Sequence, residues 1–151
     1  LLDGQLHHAG RLLDAWAEAY CRLAIRPLAP RTLYAPDAQW SDILLAQPES
    51  GVLMGGIAAA AALDSHVRAT DGIVYATALG PAVTLLRLKT DPTPFRVDVR
   101  ERFWEDLLPT PQTGLVPSVL IYGDVLRDGD ARSRDIAANL RRNDAHLRAL
   151  G

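Results

Sequence analysis

Three groups of residues have types and spacings that could do chemistry: the pair Gly55-Gly56, the run Asp64-Ser65-His66, and the arginines of the last twenty residues. A glycine pair where an apolar strand meets a helix leaves backbone N–H groups able to face a phosphate. Here no Lys-Ser/Thr follows as in a P-loop, and no third glycine completes G-x-G-x-x-G. Close backbone packing is the competing reading, since glycine lets neighbouring elements approach. The same layout precedes the metal-binding strand of nucleotidyltransferases, where two carboxylates two residues apart must face one pair of Mg²⁺ ions. The strand predicted over 73–77 has no carboxylate, and Asp98 on the strand predicted over 95–101 stands between Arg96 and Arg100. The metal-holding pair is missing, so phosphoryl or nucleotidyl transfer is not expected.

Asp64, Ser65 and His66 read as consecutive residues of a helix, where neighbours fan out by about 100° and cannot form a catalytic triad alone. No G-x-S-x-G is present. A carboxylate on a glycine-entered helix keeps a thioesterase-type hydrolase open, with Asp64 as that carboxylate; this and a residual nucleotidyltransferase are the enzymatic alternatives. His7 and His8 are adjacent and point to different helix faces, so a shared metal is not expected. The lone Cys21 excludes an internal disulfide and a Cys-based zinc site, and suits a reducing cytoplasm. No cofactor, metal or catalytic residue is assigned.

The elements that would position these residues follow from periodicity and punctuation. A helix over 10–25 carries Leu12, Trp16, Tyr20 and Leu23, with Leu13 and Ala19 beside them, and ends before Pro27 and Pro30. Arg31–Tyr34 is extended, and a short helix after Pro36-Asp37 holds Trp40, Ile43, Leu44 and Leu45. Val52–Met54 is a strand entering the glycine pair. The alanine-rich helix after it runs over 57–68, with Leu63, Asp64 and Val67 near one stripe. Ile73–Thr77 is a β-branched strand. A helix covers 82–88, and Asp91-Pro92-Thr93-Pro94 is a rigid turn. From Phe95 to Glu101, Phe95, Val97 and Val99 face one way and Arg96, Asp98 and Arg100 the other. Phe103-Trp104 reads as core or a domain seam. A helix covers 116–126 with Pro117 in its first turn. Asp130 caps a last helix over 131–150, with Ile136, Leu140, Leu147 and Leu150 buried and the arginines on its wet face. The fold class is α/β (α+β): a small mixed sheet packed by helices behind an N-terminal helical segment.

Length and composition fit one globular domain: 151 residues, 48% hydrophobic and 23% charged. No run reaches the roughly 18 apolar residues of a membrane span, and no membrane partner is expected. Net charge is −2, which does not advertise nucleic-acid binding. The charge is uneven, because residues 127–151 hold six Arg and four Asp. Arg132, Arg134, Arg141 and Arg142 are therefore the candidate partner- or DNA-binding residues. A solvated outer helix face is the alternative reading.

Taken in order, four stretches from Arg11 onward resemble the C-terminal region of the AbiEi family. This is a family of antitoxins of bacterial type IV toxin–antitoxin (abortive-infection) systems and related transcriptional regulators. The stretches are Leu12–Tyr20 with Tyr34–Trp40; Leu53–Ala60 around Gly55-Gly56; Val97–Val99 with Phe103-Trp104; and Val116-Pro117 with Ile121–Leu126, which includes Tyr122 and Asp124, then Gly129–Arg132 around Asp130 and the last helix. The chain departs from the family pattern at Ile57, where an acidic residue is usual, and at Pro92-Thr93-Pro94, where the turn usually holds glycine. The resemblance implies a degenerate nucleotidyltransferase-like fold without the catalytic carboxylates. It divides the chain into residues 1–30, an N-terminal helical linker segment, and residues 31–151, an α/β C-terminal antitoxin-like domain. Its implied partners are a cognate toxin and operator DNA through a winged helix-turn-helix upstream of Leu1; a second copy of the chain is the partner in a separate reading, in which the domain is a dimerisation module. The expected function is regulatory and non-catalytic, in the cytoplasm, exerted through the arginine face and the Phe103-Trp104 region.

Overall fold

The computed structural model describes residues 2–104 and 108–150, with side chains from Leu12 onward. The His7-His8 pair lies outside the described side chains. Four strands form one mixed sheet in the order β1-β4-β3-β2, where β1 is Leu33–Tyr34, β2 Leu53–Gly55, β3 Gly72–Ala76 and β4 Arg96–Glu101. The outer pairs, β1–β4 and β2–β3, are antiparallel, and β3–β4 is parallel. A parallel pair needs a crossover, which α4 (Leu79–Leu86) and the proline turn before β4 supply. The register sets Val74 beside Val99 and Tyr75 beside Arg100. Alternation then sends the valines and the Tyr75–Arg100 pair to opposite faces. The mixed α/β sheet packed by helices is the class expected from the sequence.

The helices differ from expectation in ways that have local causes. Helix α1 (Leu2–Cys21) ends four residues short of 25; it buries Leu13, Ala17 and Tyr20, with Trp16 half-buried, and leaves Leu12 and Ala19 exposed, as is Leu23 beyond its end. The helix is apolar on two neighbouring faces, and the one that meets α5 is the one that includes Leu13. Helix α2 (Trp40–Leu45) buries Trp40 and Leu44. Helix α3 (Gly56–Leu63) stops five residues short of 68, because Asp64 turns extended and its carboxylate accepts the His66 backbone N–H at 2.9 Å. Asp64 is thus a stop signal and not part of a helical stripe. Helix α4 begins three residues and ends two residues before the span 82–88, with Gly80-Pro81 inside its first turn and Arg87 left-handed at its end.

Helix α5 (Ser118–Asp128) begins just after Pro117, which is the N-cap residue, and ends at the left-handed Gly129. The predicted helix over 131–150 is two helices, α6 (Ala131–Asn143) and α7 (Ala145–Ala149). Asp144 breaks it: its backbone is extended, and its Oδ1 accepts the N–H groups of His146 at 2.9 Å and Leu147 at 3.0 Å. Its Oδ2 accepts the Ser118 hydroxyl at 3.0 Å, which ties the break to the start of α5. Asp130 caps α6 as expected, taking the Ser133 N–H at 2.6 Å. Of the apolar residues expected on the last helix, Ile136, Leu140 and Leu147 are buried, while Leu150 is exposed.

Candidate functional site

Among the core's side chains Asp124 is the fully enclosed carboxylate, and it sits in an apolar stretch of α5, Leu120 to Val125. A charge there costs several kcal/mol unless it is met by donors. Three elements bring them. Tyr20, in the last turn of α1, donates to Oδ1 at 2.7 Å, and Tyr75 of β3 donates to Oδ2 at 2.7 Å. Arg100 of β4 places Nη1 3.5 Å from Oδ1 and 3.4 Å from the Tyr75 hydroxyl. Arg127, one turn on from Asp124, lies over the Tyr20 ring and donates to the carbonyls of Tyr20 and Leu23. It thereby closes the C-terminal end of α1 onto α5, satisfying carbonyls that a helix end leaves free.

The electrostatics follow from burial. Burial pushes the Asp124 pKa above the ordinary carboxylate value, against the hydroxyl bonds from Tyr20 and Tyr75 and the charges of Arg100 and Arg127. Burial, then the adjacent Asp124, pushes Tyr75 up to about 12 and drives Tyr20 well beyond the phenol range. Burial disfavours the charged form of Arg100, but Tyr75 and Asp124 outweigh it and hold its pKa above the usual value. Both tyrosines therefore stay protonated as donors.

The glycine pair is built into the same cluster. A Cβ on Gly55 would stand 3.0 Å from the Tyr75 ring and 3.2 Å from Asp124 Oδ2, and Gly56 has φ +60° with Ile73 3.1 Å from its missing Cβ. Gly123, beside Asp124, meets the Tyr20 ring so closely that a Cβ would lie 2.4 Å from it. Phe103 and Trp104 cover the cluster from outside. Trp104 stands edge-on to Tyr75 with centroids 5.1 Å apart, and Phe103 contacts Tyr20, Tyr75 and Trp104. They are not fully core residues, because Phe103 is 45% exposed and Trp104 half-buried under the Arg102 guanidinium.

The four candidate arginines do not share one open face. Arg141 turns inward, pairing with Asp14 of α1 and reaching the Tyr122 hydroxyl at 3.4 Å. Arg132 donates to the Arg68 carbonyl, and Arg142 to Asn139 on its own helix. Arg134 is exposed. Arg132 lies nine residues before Arg141, which at 100° per residue puts the two on opposite sides of α6. The Asp64-Ser65-His66 run lies outside the Asp124 cluster. Its Asp64 carboxylate accepts the His66 backbone N–H and sits 3.2 Å from the imidazole Nδ1.

Tyr20, Tyr75 and Arg100 are the members of the cluster that local reading leaves unassigned. The usable signal is Asp124 itself, since an acidic residue inside an apolar helix stretch demands donors from elsewhere. Among the described residues no group of three or more His, Cys, Asp or Glu side chains is placed to hold a metal ion, and no helix is long and apolar enough to cross a membrane. Residues 5–147 match the protein family described as transcriptional regulator, AbiEi antitoxin, type IV TA system. No curated protein and no solved structure matches the chain.

Proposed function

Since the chain belongs to the AbiEi family of type IV toxin–antitoxin antitoxins and transcriptional regulators, we propose that it is a non-catalytic regulatory domain that works by surface contact with macromolecular partners. One observation carries the non-catalytic part. The enclosed carboxylate, Asp124, has both oxygens taken by tyrosine hydroxyls and a guanidinium, and its side chain has no exposed surface. A general acid, base or metal ligand has to reach a substrate, and Asp124 instead fastens α1, β3, β4 and α5 together. The remaining function then lies outside this cluster. Arg132, Arg134 and Arg142 reach the surface of α6 at separate positions around it and are the candidates for phosphate or partner contacts, while Arg141 is engaged with Asp14 and Tyr122.

Incubation of the purified chain with labelled nucleoside triphosphates and Mg²⁺ or Mn²⁺, and with acyl thioesters, tests the reading. The expected result is no turnover. Turnover that Asp64→Ala or Asp124→Ala abolishes would overturn it. On the regulatory side, expression with the cognate toxin is expected to restore growth, and replacement of Arg132, Arg134 and Arg142 by alanine is expected to weaken partner or operator binding while the fold persists.

A further inference from the structure

Among the described residues, three of the large apolar side chains left in the open gather around α1: Leu12, 61% exposed, Leu23, 44% exposed, and Phe103 beside Tyr20. Leu12, Trp16, Ala19 and Leu23 follow one another at intervals of four, three and four residues. At 100° per residue they fall within about 60° of one another around the helix. The bonds from the Arg22 N–H to Ala19 and from the Leu23 N–H to Tyr20 carry the turn on to Leu23. This stripe is not the face that meets α5. That face carries Leu13, Ala17 and Tyr20, about 100° further round. Trp16 stands between the two, half-buried and stacked on Tyr20, and Ala19 is exposed.

Apolar side chains spaced this way form the seam along which one helix packs on another. The order of large and small residues selects which helix. Turned end for end against its own copy, about a two-fold axis midway between Trp16 and Ala19, the stripe sets Leu12 on Leu23 and Trp16 on Ala19. The largest side chain then meets the smallest, and each contact occurs twice, as an isologous interface requires. A parallel copy would set Trp16 on Trp16 and Ala19 on Ala19, a collision next to a void in a layer that has to close-pack. The nearby charges suit a copy as well. Arg22, on the solvent flank of the stripe, pairs with Glu18 at 2.7 Å, and Arg26, past its end, lies 3.6 Å from Glu101. A flank of one sign would repel its own copy, whereas these pairs carry no net sign.

We propose that α1 is the seam of a homodimer: it packs antiparallel on α1 of a second copy of the chain, through Leu12, Trp16, Ala19 and Leu23. This goes beyond the contact-based function above and does not rest on it. A seam of about three helical turns is a small interface, and interfaces below about 1,200 Å² are weak and reversible. The chain therefore exchanges between monomer and dimer.

The test is sedimentation and light scattering of the whole chain from about 10 µM to about 1 mM. The average mass is expected to rise with concentration towards twice that of the monomer. Leu12→Ser and Leu23→Ser are each expected to weaken association by about 10-fold or more, since each removes two buried leucines from the dimer. Leu150→Ser, at a leucine 38% exposed outside α1, is the control and is expected to leave association unchanged. Ala19→Trp puts bulk where Trp16 has to fit and is expected to abolish the dimer, with the thermal unfolding of the monomer kept. Orientation is read by cross-linking in a Cys21→Ser background. A mixture of the Leu12→Cys and Leu23→Cys chains is expected to join under mild oxidation, and the Leu12→Cys chain alone to stay single.

A parent chain still monomeric at the highest concentration would overturn the proposal. So would equal loss in Leu12→Ser and Leu150→Ser, or an Ala19→Trp chain that dimerises like the parent. Cross-linking of the Leu12→Cys chain to itself would show a parallel seam and overturn the register argued above. If the chain stays monomeric but binds phosphatidylglycerol vesicles or duplex DNA, and Leu12→Ser abolishes that binding, the stripe has another occupant and the proposal fails. Enzymatic turnover by the parent chain would sink the functional reading and leave the dimer standing, while a monomeric chain would leave the functional reading untouched.

Discussion

The Tyr20 hydroxyl donates to Asp124 Oδ1 at 2.7 Å across 104 residues of sequence. That bond ties the N-terminal helix to the sheet as well as to α5, because Asp124 also takes the Tyr75 hydroxyl from β3. Removing one donor leaves a buried acceptor short of a partner, which costs about 1–3 kcal/mol. Tyr20→Phe keeps the ring on Trp16, whose centroid is 5.0 Å away, and deletes only the donor. Urea unfolding is expected to show that loss with an unchanged slope. Tyr75→Phe should cost a similar amount. The two hydroxyls also lie 3.3 Å apart, so the double variant is expected to be non-additive. Additive losses would show that the two hydroxyls act separately.

Asp124 also makes stability depend on pH. Its folded pKa lies above the ordinary carboxylate value because burial disfavours the charge. The folded state therefore holds its proton more tightly than the unfolded state does. The contribution is fully present below the unfolded carboxylate pKa, near 3.9, and is lost as pH rises through the folded value. Asp124→Asn carries no titrating group and still accepts one hydroxyl through its carbonyl. Comparing unfolding midpoints from pH 3 upward, the difference between parent and variant is expected to move against the parent across that window and then level off. A parallel pair of curves would mean that Asp124 does not titrate differently on folding.

Much of this fold is legible where the rule is local. Asp130 before an arginine-rich helix, Gly55-Gly56 between strand and helix, and the alternation of Val97 and Val99 all predict what the structure shows. Helix ends at Asp64 and Asp144 were legible in principle, as aspartate followed by backbone N–H groups is cap chemistry. Their apolar periodicity continues past the break, though, so the period masks the stop. The buried face of α1 is harder. Leu12 and Leu13 are adjacent and both apolar, and only contact with α5 decides that Leu13 turns inward. The partners of Asp124 come from three separate elements, so no window of sequence contains them.

Gly123 gives a test of how tightly α1 lies on α5. A methyl group there would fall 2.4 Å from the Tyr20 ring, which is a rigid body held by Asp124 and stacked on Trp16. Alanine normally favours a helix over glycine by about 1 kcal/mol. At this position overpacking, at about 1–3 kcal/mol, is expected to outweigh that gain. Gly123→Ala should lower the unfolding midpoint and change the near-ultraviolet signal of the aromatic cluster. A stabilised variant would show that α1 can shift away without loss.

Asp144 tests the helix break. Asp144→Ala removes the acceptor for the His146 and Leu147 N–H groups and for the Ser118 hydroxyl. Loss of such a cap costs about 0.5–2 kcal/mol, and amide exchange is expected to quicken in α7 before it does in α5. Protection of α7 equal to the parent's would mean that Leu147, buried in the core, holds it without the cap.

Arg141 and Arg142 are neighbours with different duties, and that decides how the arginine surface has to be probed. Arg141 pairs with Asp14 on α1 and donates to Tyr122, which links α6 to two other helices. Arg142 contacts Asn139 within its own helix. Arg141→Ala is therefore expected to lower thermal stability by about 1 kcal/mol, since its pair is partly shielded, while Arg142→Ala stays within about 0.5 kcal/mol of the parent. Asp14→Asn should reproduce most of the Arg141→Ala effect, because it removes the other half of the pair. A paired Arg141 and Arg142 substitution that weakens partner binding would then conflate a loosened α1 with a lost surface charge. Arg142→Ala together with Arg134→Ala separates them: weakened binding with an unchanged melting curve assigns the effect to the surface. Equal stability of the Arg141→Ala and Arg142→Ala chains would show that the link to Asp14 does not hold α1 in place.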